Sequence, residues 1–331
     1  MLVRLTGYKK IYILLLTKRM EAKKAFSHKG AVPEIWTFGG GKGGTGKSFM
    51  ASSMAIHLAQ SGHRVTLIDA DIGGANLHSY FGITHPRSTL TEFFEKKIPL
   101  VELKIRSGVK NLSFIPGDVK SLASDGILYS QKLKLFRHIR MLNSEYVIID
   151  VGAGSHNNVI DTFLIADKML AVLLPDVLAV ENLYHFIKNA LFRKLKKTLK
   201  PYGFKELVEQ IWRNKENYGI KNLWQLIAWM KDNFSFIKEI LDQELSNFRI
   251  YFVLNKITNR QDILLGSFIK SGFSKFLGLE THFVGYVEYD ENVIKSIAQQ
   301  EPFLQFDASS SVAQEVRSCV DNLIYGREQK V

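Results

Sequence analysis

Cysteine is nearly absent: Cys319 stands alone among 331 residues. A single thiol cannot close a disulfide within the chain, complete a C-x-x-C metal site or hold an iron–sulfur cluster by itself. Long apolar runs are also missing near the start. The run "IYILLL" at Ile11 to Leu16 is hemmed in by Lys9, Lys10, Lys18 and Arg19, and it is far shorter than the eighteen or so residues of a membrane span. No small-residue cleavage site follows it, so an export signal is not expected. These absences predict no integral membrane segment and a cytoplasmic address, in which the chain is free or peripheral to membrane or nucleoid. The formal net charge is +12, and eight Lys or Arg against one carboxylate, Glu21, precede residue 30. Residues 1–32 have no clear amphipathic period and read as a basic, disordered leader, with Met20 as an alternative start. Residues 33–331, in a chain that is 46% hydrophobic, can bury a substantial core.

Glycine is concentrated where it is informative, in "FGGGKGGTGKSFMASSMAIHLAQ" from Phe38 to Gln60. Upstream, "EIWTF" is a short run of strand type. Downstream, Met50, Met54 and Leu58 recur four apart, as on one side of a helix, and the pattern ends at Gly62. Between strand and helix, Gly41, Gly46, Lys47 and Ser48 satisfy G-x-x-x-x-G-K-[ST], the phosphate loop. The glycines let backbone N–H groups converge on phosphate oxygens, and the helix N-terminus adds its positive end. Lys47 reaches the phosphates, and Ser48 offers a hydroxyl to Mg²⁺.

Two further strands end in carboxylates. "RVTLIDADIGGANL" delivers Asp69 and Asp71, and "YVIIDVGAG" delivers Asp150 with Gly154 beyond it. In open α/β sheets ligands sit at the carboxyl ends of strands. An acidic group there can hold Mg²⁺, and Gly154 has a backbone N–H free to sense a γ-phosphate. The expected fold is α/β: a doubly wound, predominantly parallel sheet flanked by helices, with an inserted helical segment at about 187–248.

"KGGTGKS" at Lys42 to Ser48 resembles the deviant Walker A motif of the MinD/ParA family of P-loop ATPases, and "DADIGGANL" resembles the family's first switch. The likeness runs through residues 34–180 and 249–325. It implies ATP/ADP and Mg²⁺ as cofactors, and a homodimer that forms on ATP binding, in which Lys42 reaches the partner's nucleotide. It implies a phosphate cradle of Gly41, Gly43, Gly44, Thr45, Gly46, Lys47, Ser48 and Phe49, with catalytic roles for Lys42, Lys47 and Asp71. Asp71 would position the attacking water, with Asn76 in the same switch, and Ser48, Asp71 and Asp150 would surround the metal. Asn255, ending "RIYFVLNKI", would read the adenine edge, with Val287, Glu288 and Tyr289 near the base. Two positions depart from the pattern: Gly152 and Glu288 stand where the family commonly has proline.

Within residues 187–249, thirteen Lys or Arg face seven Asp or Glu. Leu183, Phe186, Ile187, Leu191 and Leu195 share one side of a helix, and Arg193, Lys194, Lys196, Lys197 and Lys200 crowd its end. This reads as a solvated helical lid, or else as a docking surface for DNA, acidic lipid or an acidic protein. Trp212, Trp224 and Trp229 fit the lid's own core or a partner anchor. The lack of a cysteine pair disfavours the iron–sulfur members of the family. The expectation is a nucleotide-switched ATPase, stimulated by an unidentified activating protein, that positions division, flagellar or other polar machinery. The alternatives are a ParA-type DNA segregation ATPase and a nucleotide-binding scaffold without significant hydrolysis.

Overall fold

A computed structural model describes residues 32–71, 74–117 and 129–329. The reading of residues 1–31 as a leader, with Met20 as its alternative start, lies outside the described residues. β1 (Glu34–Gly39) passes through the glycine-rich loop into α1 (Lys47–Gln60), and β2 (Val65–Asp69) follows. After a 3₁₀ turn at Leu77–Phe81 come α2 (Leu90–Glu95), β3 (Ile105–Arg106) and β4 (Leu112–Ile115). Next are α3 (Tyr129–Ile139), β5 (Tyr146–Asp150), α4 (Asn157–Phe163) and β6 (Lys168–Leu173). The helices α5 (Val177–Leu199), α6 (Lys205–Arg213), α7 (Leu223–Asn233) and α8 (Ser235–Ser246) precede β7 (Ile250–Ile257). The chain closes with α9 (Leu265–Leu277), β8 (Thr281–Glu288), α10 (Glu291–Ala298), α11 (Phe303–Phe306) and α12 (Ser311–Tyr325).

The eight strands form one sheet in the order β3-β4-β2-β5-β1-β6-β7-β8. Only the β3–β4 pair is antiparallel. Strand residues alternate between two cores because successive side chains leave opposite faces of a sheet. Ile35, Ile68, Val147 and Ile149 pack with α4 and α5 on one side. Trp36, Phe38, Leu67 and Ile148 pack with α1 and α12 on the other. Burial on both faces is what turns the strands into near-continuous apolar runs. The sheet is thus doubly wound and predominantly parallel, as the sequence predicts.

The parallel order aligns the strand ends that matter. Asp69 pairs in register with Asp150, and Asp150 with Phe38 at the end of β1. Two carboxylates and the glycine loop are thereby placed side by side, although they are far apart in sequence.

On α5, Leu183, Phe186, Ile187, Leu191 and Leu195 are buried. The cations at its end are largely engaged inside the fold: Arg193 and Lys197 with Asp161, Lys194 with Glu244, and Lys196 with Glu209. Because Lys132, Arg193 and Lys197 share the single carboxylate of Asp161, pairing reduces but does not cancel the positive charge at this end of the helix. Trp212 packs on Phe192, with ring centroids 5.6 Å apart, and Trp229 packs on Tyr218 at 5.2 Å. Trp224 is 39% exposed. Its ring lies so close over Gly278 that a Cβ there would come within 2.0 Å of it. No described helix is long and apolar enough to cross a membrane.

Candidate functional site

A cavity of about 400 Å³ opens at the carboxyl ends of the central strands. Its floor is the loop between β1 and α1. Gly40, Gly44 and Gly46 have φ of +154°, +77° and +94°, backbone that side chains rarely tolerate. Gly46 has a second constraint: a Cβ there would meet the Asn255 amide at 2.0 Å. No side chain caps the N-terminus of α1. Its first N–H groups therefore lack a capping partner beside a cavity lined by Gly43, Gly44, Gly46, Lys47, Ser48 and Phe49, an arrangement that favours anions.

Lys47 is 7% exposed, and its ammonium donates to the Lys42 carbonyl at 2.9 Å. Burial lowers its pKa, against the opposing pull of Asp150 and Asp71. Asp150 is buried, and burial pushes its carboxyl up to about 6, while the Ser48 hydroxyl and Lys47 hold it back. Its Oδ1 has no hydrogen-bond partner. A buried carboxylate oxygen left open beside a serine hydroxyl fits Mg²⁺, which takes few protein oxygens and completes its shell with water and phosphate. Among the described residues no cluster of three or more His, Cys, Asp or Glu is placed to hold a metal ion.

The two aspartates after β2 have different surroundings. Asp69 is 1% exposed and accepts the backbone N–H groups of Asp71 at 3.1 Å and Leu77 at 3.0 Å. Burial, reinforced by Asp150, pushes it up to about 7. It ties both ends of the switch loop to the sheet. Asp71 is half-buried and lines the cavity. Burial raises its pKa, against Lys47 and His156. Its carboxylate lies against Gly152, where an added Cβ would approach Oδ1 to 2.3 Å. Proline carries that Cβ, so the Gly152 departure lets Asp71 rest directly on the second switch.

Several expected residues sit elsewhere. Lys42 is half-buried but does not line the cavity; only its carbonyl turns inward, to Lys47. Gly41 and Thr45 lie behind the lining, where Gly41 packs on the Asn182 carbonyl of α5. Gly154, with φ +98°, falls beyond Gly152 and Ala153, which do line it. Asn255 reaches the cavity, but its amide donates to the Thr45 carbonyl at 2.8 Å, bracing the phosphate loop against β7. Val287 is fully buried in the core, whereas Glu288 and Tyr289 line the rim. The Glu288 backbone N–H donates to Glu315 at 2.9 Å.

Sequence reasoning overlooked Tyr80, Lys256 and the apolar side of α10, Val293, Ile294 and Ile297, all of which line the cavity. Tyr80 is pushed up to about 12 by burial and by Asp150, so it remains a neutral phenol. Lys256 adopts φ +59° and reaches the Gly44 carbonyl at 3.5 Å. The i, i+1 and i+4 spacing of the α10 residues was a legible signal for a helical wall.

Comparisons with known proteins agree with this geometry. The family described as CbiA, the CobQ/CobB/MinD/ParA nucleotide binding domain, matches residues 36–303. The antiactivator FleN of Pseudomonas aeruginosa is 26% identical over 288 residues, 84% of each chain. The septum site-determining protein MinD of Helicobacter pylori is 31% identical over 150 residues, 45% of this chain and 55% of that one. The flagellum site-determining protein YlxH of the same organism is 32% identical over 169 residues, 50% of this chain and 56% of that one. The match therefore spans little more than half the length of these last two relatives. Among solved structures, the MinC:MinD cell division protein complex of Aquifex aeolicus aligns with a TM-score of 0.60 at 18% identity, over 90% of this chain and 98% of that one. MinD complexed with Mg-ADP from Pyrococcus horikoshii aligns with a TM-score of 0.57 at 15% identity, over 90% and 100%. With a match over most of its length and a nucleotide cavity where the parallel strands end, the chain belongs to the CobQ/CobB/MinD/ParA nucleotide binding domain family.

Proposed function

We propose that this chain is a slow ATPase that dimerises on binding ATP and switches the placement of cellular machinery, in the manner suggested by relatives named for septum and flagellum sites. The observation that carries this reading is the position of Lys42. It sits on the phosphate loop yet outside its own cavity, contributing only a backbone carbonyl to Lys47. A cation on the outer lip is best used by a second nucleotide facing it across a two-fold axis. There it supplies charge in trans to the departing phosphate.

Within one site, Lys47 and the α1 N-terminus bind the phosphates, and Ser48 and Asp150 would hold Mg²⁺, which would supply charge to neutralise the phosphates. Asp71, held by Gly152 and by the Asp69-pinned loop, orients the attacking water and accepts its proton. Glu288, Tyr289 and the apolar side of α10 cover the base. An activating protein completes the cycle. Turnover of the isolated chain is expected to fall below the enzyme median of ~10 s⁻¹, and a chain that binds ATP with no turnover at all would be a scaffold instead.

Lys42→Ala is expected to bind ATP almost normally but to lose ATP-dependent dimerisation and stimulated hydrolysis. Asp71→Ala should bind and dimerise yet hydrolyse poorly. Mixing the two gives the test, read by phosphate release and light scattering. In the heterodimer, the site on the Lys42→Ala chain keeps its own Asp71 and faces the partner's intact lysine. Activity should therefore partly return. Heterodimers that form and stay as inactive as either variant would refute the trans role.

A further inference from the structure

A second concavity lies at the opposite end of the sheet, where β2, β4 and β5 begin. Arg64 leads into β2, Lys104 precedes β3 and Arg106 ends it, the turn from Gly108 to Asn111 precedes β4, and Asn143 and Ser144 precede β5. Together they line a cavity of about 610 Å³. The turn is built firmly: the Ser107 hydroxyl donates to the Leu112 carbonyl at 2.8 Å and accepts the Val109 N–H at 3.1 Å. The Asn111 amide donates to the Ala59 carbonyl at the end of α1.

Among the described residues the lining holds four cations, Arg64, Lys104, Arg106 and Lys110, and no carboxylate. Lys104 is half-buried, and among the described residues its ammonium donates to the Ser144 hydroxyl at 3.3 Å. That hydroxyl is itself shared with Thr66 at 2.7 Å. Burial lowers the Lys104 pKa with no carboxylate to oppose it. Glu145 flanks the site but is engaged, accepting the Arg64 backbone N–H at 2.8 Å and lying 3.5 Å from His63. The contrast with α5 is direct, because there the cations have carboxylate partners.

A half-buried ammonium without a counter-charge is costly, and a bound anion offsets that cost. Guanidinium and ammonium groups, with Asn143 and Ser113 beside them in the lining, match the many acceptor oxygens of phosphate. Among the described residues no aromatic ring lines the concavity, so these residues build no stacking platform of the kind that single-stranded nucleic acid uses. A single concave pocket also differs from a stripe that follows a duplex. We propose that this cavity binds a small anion carrying two or more phosphate groups, at a site separate from the nucleotide cavity.

Calorimetric titration of inorganic pyrophosphate into the full chain, saturated with ADP in metal-free buffer, tests this. ADP occupies the phosphate loop, so only a second site responds. One pyrophosphate per chain is expected to bind saturably. Affinity should fall by about 10-fold or more in Lys104→Met, the loss expected for one charge-assisted contact. The Arg106→Gln/Lys110→Gln double variant, altered only at exposed side chains, should lose at least as much. Lys47→Ala titrated without ADP should bind pyrophosphate as the wild type does with it. Binding that disappears once ADP is present, or that persists unchanged in the double variant, would overturn the proposal. So would retention of duplex DNA through these same side chains with no pyrophosphate bound.

Discussion

Asp161→Asn is expected to destabilise the fold by about 3–5 kcal/mol, the loss typical when one partner of a buried charge cluster is removed. Asp161 is 1% exposed and collects three cations. Lys132 of α3 approaches at 2.7 Å, Arg193 of α5 binds both carboxylate oxygens at 2.7 and 2.8 Å, and Lys197 lies at 2.6 Å. Lys132 is only 6% exposed. An amide in place of the carboxylate removes the negative charge that the three cations share and leaves their mutual repulsion less offset. Three helices, α3, α4 and α5, are joined at this point, and α4 follows directly from the switch that carries Gly152. Equilibrium denaturation provides the measurement, and a midpoint shift worth less than about 1 kcal/mol would mean that the cluster is not what joins the helices.

The same substitution carries a pH signature. Burial alone would raise the Asp161 carboxyl, but hydrogen bonds from Arg193, Lys132 and Lys197 outweigh it and hold the group well below the usual carboxylate range. A depressed folded value means that the stabilisation is complete above the unfolded pKa of about 3.9 and is lost as pH falls toward the folded one. The stability gap between wild type and Asp161→Asn should therefore stay constant from neutrality down to about pH 5 and narrow only below it. A gap that closes near pH 6 would point to another titrating group.

Lys47→Ala is expected to weaken ATP binding by about 100-fold or more, because charge-assisted hydrogen bonds to two phosphates are lost together. The surroundings enlarge the effect. Asp71 and Asp150 also line the cavity, and Lys47 is the buried cation that offsets them, so its removal leaves carboxylates facing a polyphosphate. Ser48→Ala should behave differently, keeping most ATP affinity while requiring more Mg²⁺, since its hydroxyl serves the metal. Calorimetry with ATP at two Mg²⁺ concentrations separates the two outcomes. Unchanged affinity in Lys47→Ala would remove the phosphate loop from the proposed function.

The phosphate loop was readable because its chemistry is local. Gly40, Gly44 and Gly46 are needed for backbone angles within a few residues of one another, and Lys47 opens the helix that follows. The sheet was readable for a related reason: burial on both faces makes each strand an apolar run. Residues 1–31 were legible only as charge and composition, properties that do not specify a packed partner.

By residue type and spacing Asp69 and Asp71 are equivalent carboxylates two residues apart, and only the family resemblance singled out Asp71. The tertiary structure separated them, because Asp69 points down onto the backbone of its own loop while Asp71 meets Gly152 from a distant strand. Asn255 likewise reads as a strand-end amide, and only the close approach of β7 to Gly46 joins it to the phosphate loop. The basic end of α5 read as a solvated lid or a docking surface, and only folding brought Asp161, Glu209 and Glu244 to its cations. The basic concavity beside β3 was invisible for the opposite reason: Arg64, Lys104 and Lys110 are scattered in sequence and become neighbours only where the strands begin. Sequence thus determined the elements whose signals repeat within a turn of helix or a few residues of strand, together with the one loop whose ligand contacts are made by its own backbone. Tertiary structure decided which charges are paired, which carboxylate is open to the cavity and where cations are left without partners, because those properties depend on contacts between residues that the chain itself keeps far apart.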